Sequence, residues 1–275
     1  MDVTLPDREE HLSRARADAF EAFLPGVTGQ LMTGAFCGAN NLCTAILSLT
    51  PIAQKTHHRH AFSEAITPLS GPVVVSVEGR RYRLRPYESI HVPAGVAHCA
   101  YSASNGQAAS VHVAFAAADP TADTVDTFFP FKDRGLEPAA ADVPEFIARN
   151  EVIEIYELNE GAKFRDLFAS RYGSRGICGG YAEFEPGSSL PCHIHEYDES
   201  ITIIKGTAIC EVAGARYTLS DNDTALVPKG RPHRFLNESA GDMAMVWVYA
   251  GDEPERTLKT PGYCIGMGHC PVCEQ

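Results

Sequence analysis

Long apolar runs are missing from this sequence: the longest, such as Pro72–Val75 and Met243–Ala250, fall far short of the roughly 20 residues that carry a helix across a bilayer. No membrane class is needed to explain the chain. Basic residues are outnumbered, 23 Lys and Arg against 35 Asp and Glu, for a formal charge of −12. That balance repels phosphate backbones and anionic lipid, and nucleic acid is excluded as an expected partner. The first residues are not expected to be a secretory signal: Asp7, Glu9 and Glu10 precede Leu12, Ala15, Ala19, Phe20 and Phe23, a spacing that reads as an amphipathic helix over residues 1–24. A cytoplasmic location is the expectation. The nine cysteines, an odd number with no secretory signal, read as reduced thiols or metal ligands, and no disulfide is expected.

What is present suits two compact domains. The chain has 275 residues, 44% hydrophobic and 21% charged, an ordinary globular composition long enough for two cores. An internal repeat makes the division concrete. Shifting the sequence by 135 positions lays His58 on His193, His60 on His195, Glu64 on Glu199, Gly71 on Gly206, Pro93 on Pro228, Gly95 on Gly230 and His98 on His233. Between them Val77, Gly79, Arg81, Tyr82 and Leu84 fall on Val212, Gly214, Arg216, Tyr217 and Leu219. Gly79 and Gly214 sit between alternating apolar and polar stretches, where a hairpin needs a residue that accepts positive φ.

Elsewhere the pattern gives short strands: Cys43–Leu49, Val73–Val77, Ser89–Val92, Val111–Phe115, Val152–Leu158, Ile201–Ile204, Ala225–Val227 and Met243–Tyr249. Many short strands at regular turn spacing, present in two copies, predict an all-β protein of two barrels. The expected limits are a helical segment over 1–24, a first barrel over 25–118, a connector with a short helix (Val143–Asn150) over 119–168, a second barrel over 169–250 and a cysteine-rich tail over 251–275.

The residues carried twice by the repeat bear chemistry. In the second half Gly187, His193, His195, Glu199 and Gly206 are followed by Pro228, Gly230, His233 and Asn237. This pattern resembles the two motifs of the cupin superfamily, with Asn222 where the family usually opens its second motif with glycine. The first half matches at His58, His60, Glu64, Gly71, Pro93, Gly95 and His98, but has Ile52 and Ser102 for the flanking glycine and asparagine. The resemblance implies tandem jelly-roll barrels and two metal sites: His58, His60, Glu64 and His98, and His193, His195, Glu199 and His233.

Strand geometry leads the same way, since residues two apart share a face and their side chains converge. Three imidazoles and a carboxylate suit Fe(II), Mn(II), Ni(II), Cu(II) or Zn(II) better than Ca²⁺ or Mg²⁺. An octahedral ion so held keeps two open positions, for Lewis-acid or oxygen chemistry.

The first functional expectation is a non-heme Fe(II) dioxygenase acting with O2 on a small oxygenated substrate. The alternatives are a Mn(II) or other divalent-metal decarboxylase or isomerase of a small carboxylic or keto acid, to which two intact sites of the oxalate decarboxylase kind point, and a non-catalytic cupin binding metal or a small ligand. A homodimer is the expected assembly. Cys264, His269, Cys270 and Cys273 are a candidate second cluster, for which Cys37 and Cys43 are candidate further donors, since the Cys270–Cys273 spacing is that of zinc or thiol redox sites; an ordinary reduced tail is the reading set ahead of it. Cys192 is expected to face away from His193 by strand alternation. Tyr87, His91, Tyr101, Tyr197, Asp198 and Lys205 are candidate pocket groups.

Overall fold

A computed structural model describes residues 7–53, 57–120, 124–129 (backbone) and 142–265. Two barrels follow one another, each made of a seven-stranded and a five-stranded antiparallel sheet. In the first, the larger sheet runs Phe146–Ala148, Ser89–Val92, Glu64–Ser70, Ala109–Phe115, Cys43–Leu49, Val27–Thr33 and Glu21–Leu24. The smaller runs Thr124–Phe129, His57–His60, His98–Ser102, Val73–Val77 and Arg80–Leu84. The second barrel repeats this plan, with Glu199–Lys205 third in its larger sheet and His193–Ile194 beside His233–Leu236 in its smaller one. Inward-facing apolar residues of the two sheets fill each barrel, Val75, Tyr82, Leu84 and Ile90 in one and Ile201, Leu219, Phe235 and Trp247 in the other.

The 135-residue offset holds in three dimensions. Glu21–Leu24 corresponds to Tyr156–Asn159, Val27–Thr33 to Ala162–Phe168, and Cys43–Leu49 to Cys178–Phe184. Residues 156–168 therefore belong to the second barrel's larger sheet. The hairpins at Glu78-Gly79 and Ala213-Gly214 have positive φ at both central residues (48° and 87°, 47° and 94°), the two-residue turn whose twist matches its strands. Asn222 is left-handed at φ 70° and so is its counterpart Tyr87 at 66°. Asparagine accepts that geometry readily, whereas the Tyr87 backbone is held by its N–H donating to Pro68 O at 2.8 Å and its ring by Tyr181 at 5.0 Å.

Two expected helices are strands. Residues 1–24 were expected to be helical, but among those described His11–Ser13 and Glu21–Leu24 are extended and only Ala17–Ala19 forms a 3₁₀ turn. In place of the Val143–Asn150 helix stands the strand Phe146–Ala148. Both arms cross over. His11–Ser13 pairs with Thr224–Val227 of the second barrel and Phe146–Ala148 with Ser89–Val92 of the first. Edge pairing satisfies the arm's backbone groups from outside its own segment, which overrides local helical spacing. Equivalent polar anchors hold each arm: Tyr82 donates to Glu145 (2.7 Å) and Tyr217 to Glu10 (2.8 Å), while Arg149 donates to Glu88 (2.9 Å) and Arg14 to Asp223 (2.7 Å).

The larger sheets also pack against each other through small residues. Ala65 and Ala114 of the first barrel meet the cluster of Leu226, Val246 and Val248 of the second, and Thr44 Oγ1 lies 3.0 Å from Ser200 Oγ. His112 is on the same sheet face as Ala114 by alternation. His91 and His112 are fully buried, and burial pushes His91 down to about 4 and His112 to about 3.

Acid sensitivity follows. A histidine with a depressed folded value leaves the folded state neutral while the unfolded chain takes up a proton. Its stabilising contribution is therefore complete above pH 6.5 and lost as pH falls toward 4. Between pH 7 and 5 the pair should lower stability by about 4 kcal/mol. In urea unfolding at both pH values with equal metal loading, His112→Leu should remove about half of that loss; an unchanged pH slope would refute the assignment.

Candidate metal centres

Register brings the candidate ligands together. His98 lies directly opposite His58 in one antiparallel pair, and His193 opposite His233 in the corresponding one. His60 follows His58 by two positions and points to the same face. Glu64 and Glu199 open interior strands of the facing larger sheets, beside Phe115 and Tyr249. In each set of four, one donor atom per residue lies within 4.8 Å of the others.

Backbone carbonyls set the imidazole orientation. Nδ1 lies against Val96 O in His98 (2.9 Å), Pro191 O in His193 (2.8 Å), Tyr197 O in His195 (3.1 Å) and Arg231 O in His233 (3.0 Å). Each Nδ1 thus donates its proton outward and Nε2 carries its lone pair inward, the tautomer a metal requires. The inward atoms crowd: His195 Nε2 is 3.2 Å from His233 Nε2, and each is 2.8 Å from Glu199 Oε2. In the first set Glu64 Oε2 is 2.6 Å from His98 Nε2 and 3.2 Å from His60 Nε2. Lone pairs converging at such distances repel unless a cation lies among them, so the donor sets fit a metal ion.

Charge fits as well. Burial, followed by the neighbouring imidazoles, depresses His58 to about 3 and His193 well below its ordinary value. Burial opposes ionisation of Glu64 and Glu199, but the adjoining imidazoles hold both carboxyls below the usual range. Burial also lowers His233, whereas at His98 burial is outweighed by Glu64, which raises it; each set offers imidazole nitrogens and one negative oxygen to a divalent cation.

The two sets differ in what surrounds them. The first forms one wall of a cavity of about 380 Å³ whose other walls include Val27, Leu31, Leu47, Leu49, Val111, Val113 and Phe115, with Phe23 and Leu24 at its rim. The second is packed by Phe164, Met245, Trp247, Tyr249 and Arg256 and leaves no volume even for water. Ladder partners explain the difference. Val113 faces Ala45, and at the corresponding rung Trp247 faces Gly180. A Cβ on Gly180 would lie 2.6 Å from the Trp247 ring, so the glycine admits the indole. The sequence repeat hides this correspondence, because the loop before Met243–Tyr249 is one residue shorter than that before Ala109–Phe115 and breaks the 135-residue register.

The remaining candidates separate from these sets. Contrary to the expectation of no disulfide, Cys192 is bonded to Cys264. Cys192 does face away from the ligand side, and that outward direction brings it to the 262–265 turn beside the smaller sheet. Cys264 is consequently not a free metal donor, and His269, Cys270 and Cys273 lie outside the described residues. Cys37 exchanges hydrogen bonds with Gly34, and Cys43 is buried in the first core. Asp198 is an arm anchor, bound by Arg8 at 2.7 and 2.5 Å and by the N–H groups of Asn40 and Lys229. Lys205 pairs with Asp242 at the surface. His57 lies 3.0 Å from Ser76. Sequence reasoning missed the apolar cavity walls and the Trp247–Arg256 plug, because none of these residues belongs to a motif.

Among the described residues no helix is long and apolar enough to cross a membrane. Comparison with curated proteins gives no match. Among solved structures, that of oxalate decarboxylase from Bacillus subtilis at pH 4.6 is similar with a TM-score of 0.70 at 17% identity, over 94% of this chain and 80% of that one. Two variants of the same Bacillus subtilis enzyme give TM-scores of 0.71 and 0.72 at 16% and 18% identity, each over 94% of this chain and 81% of theirs. At such identities the likeness establishes the fold. The family model for the cupin domain matches twice, over residues 45–115 and 180–249, just over half the sequence and one match in each barrel; the chain belongs to the cupin family, with two cupin domains in tandem.

Proposed function

We propose that this protein is a divalent-metal-dependent enzyme that decarboxylates or isomerises a small carboxylic or keto acid, with the reaction at the first centre. The observation carrying this reading is that His58, His60, Glu64 and His98 face an accessible cavity while the second set is enclosed. Three imidazoles and a carboxylate suit Mn(II) or a neighbouring transition ion. A divalent ion held there supplies Lewis-acid stabilisation of charge developing on a substrate oxygen. Glu64 balances the ion's charge, and the imidazoles fix its position from rigid strands.

The apolar walls exclude water from the substrate's carbon skeleton and leave its oxygens at the polar end. When the bond to the carboxylate breaks, CO2 leaves and the electron pair stays on the substrate, received as an enolate by a carbonyl one carbon further along, as in a 3-keto acid. A proton taken up at carbon completes the product. Glu64, held ionised by its imidazoles, is not the acid, so that proton comes from solvent at the polar end of the cavity.

This reading stands ahead of the iron dioxygenase expected from sequence. The similar solved structures carry the name oxalate decarboxylase, which supports non-oxidative chemistry on a carboxylate. Metal-loaded protein should release CO2 from a member of a panel of small carboxylic and keto acids, or interconvert its isomers, without consuming O2. Substrate-linked O2 uptake would restore the dioxygenase reading, and ligand binding without turnover under any metal would make this a binding protein.

A further inference from the structure

We infer that the ligand of the first barrel is a monoanionic organic acid with a hydrocarbon body, its single carboxylate or keto-carboxylate head at the metal centre and its body in the cavity. The inference rests on the proposed function for the head group alone. The cavity supplies the evidence for the body. Beyond the four candidate ligands and Cys99, its described lining is apolar, and no Lys, Arg, Asp or further Glu is among these residues. A second charge on the ligand would be buried there without a partner, at a cost far above that of leaving it in water. A volume of about 380 Å³ equals that of roughly a dozen waters, far more than the two carboxyl groups of a minimal diacid occupy.

The second barrel serves as the internal control. It has the same donor set on the same scaffold, yet Met245 and Trp247 stand at the rungs where the first barrel has Val111 and Val113, and no cavity remains. The space is thus created by particular small side chains rather than by the barrel fold itself. Phe23 and Leu24, each more than a third exposed at the rim, extend the apolar surface to the entrance, so a hydrocarbon chain meets one continuous path to the metal centre.

The test is calorimetric titration of Mn(II)-loaded protein with straight-chain carboxylates from acetate to octanoate, and with suberate as the eight-carbon diacid. Each added methylene should tighten binding roughly fourfold until the cavity is full. Hexanoate should exceed acetate by at least about 100-fold, and suberate should bind at least about tenfold more weakly than octanoate.

Ala45→Gly/Val113→Trp, which copies the Gly180–Trp247 rung, should abolish the chain-length dependence while leaving metal content unchanged. Should that double variant not fold, Val111→Met should weaken octanoate selectively and leave acetate unaffected. A flat chain-length series, or suberate binding as well as octanoate, would overturn the inference even if CO2 release were observed. A steep series in protein that turns over no acid would uphold it and defeat the decarboxylase reading, so the two failures are distinguishable.

Discussion

Glu64→Gln is expected to lower metal content from two equivalents per chain to one and to reduce turnover at least about 100-fold. The substitution keeps the size of the side chain and removes the only negative donor of its set. Three neutral imidazoles and a neutral amide offer nothing to offset the desolvation of a divalent ion in a buried site. The fold should survive, because Glu64 lies at the first position of its strand and its backbone pairing with Val92 and Phe115 is untouched. Glu199→Gln should strip the second centre instead and leave binding at the first intact. Elemental analysis of the two variants beside wild type, together with turnover, decides the matter. Two equivalents retained in Glu64→Gln with full activity would remove the first centre from the reaction.

The sequence made the centres legible because they depend on local spacing. His58 with His60, and His193 with His195, are pairs two apart on extended chain, and the repeat supplied Glu64 and His98 with their counterparts. Hairpins at Gly79 and Gly214 were readable for the same reason, since a two-residue turn constrains its own residues. The arms were not, because Leu12 and Phe146 belong to strands whose partners, Ala225 and His91, lie far along the chain. Nor was the Cys192–Cys264 disulfide, which joins residues 72 apart in sequence and contradicts an inference drawn from cysteine parity. Alternation placed Cys192 correctly but could not say what lay on the side it faces.

The unequal surroundings of the two centres were the least legible feature, since Val113 and Trp247 are both simply apolar strand residues until ladder registers align them. A repeat that preserves four candidate ligand positions while its apolar rungs diverge separates the means of holding an ion from the space for a ligand. Among the described residues both barrels bring a donor set together, and the cavity beside it is found at the first.

Trp247→Val tests that separation. The indole is 1% exposed, packs at 5.2 Å from the Tyr249 ring and lies beneath the Arg256 guanidinium at 5.4 Å. Its loss should cost about 3 kcal/mol through reduced burial and the space left behind, and lower Tm by about 10 °C. The same vacated space should open a route to His193, His195, Glu199 and His233. In wild type a chelator should remove metal in two phases, rapidly from the first centre and slowly from the enclosed second one. In Trp247→Val the slow phase should merge with the fast one under conditions where the variant remains folded. Equal release rates from both wild-type centres would show that the Trp247–Arg256 plug does not control access. A slow phase that persists in the folded variant would place the barrier in the donor set itself, whose crowded Nε2 atoms would then retain the ion without help from the packing above them.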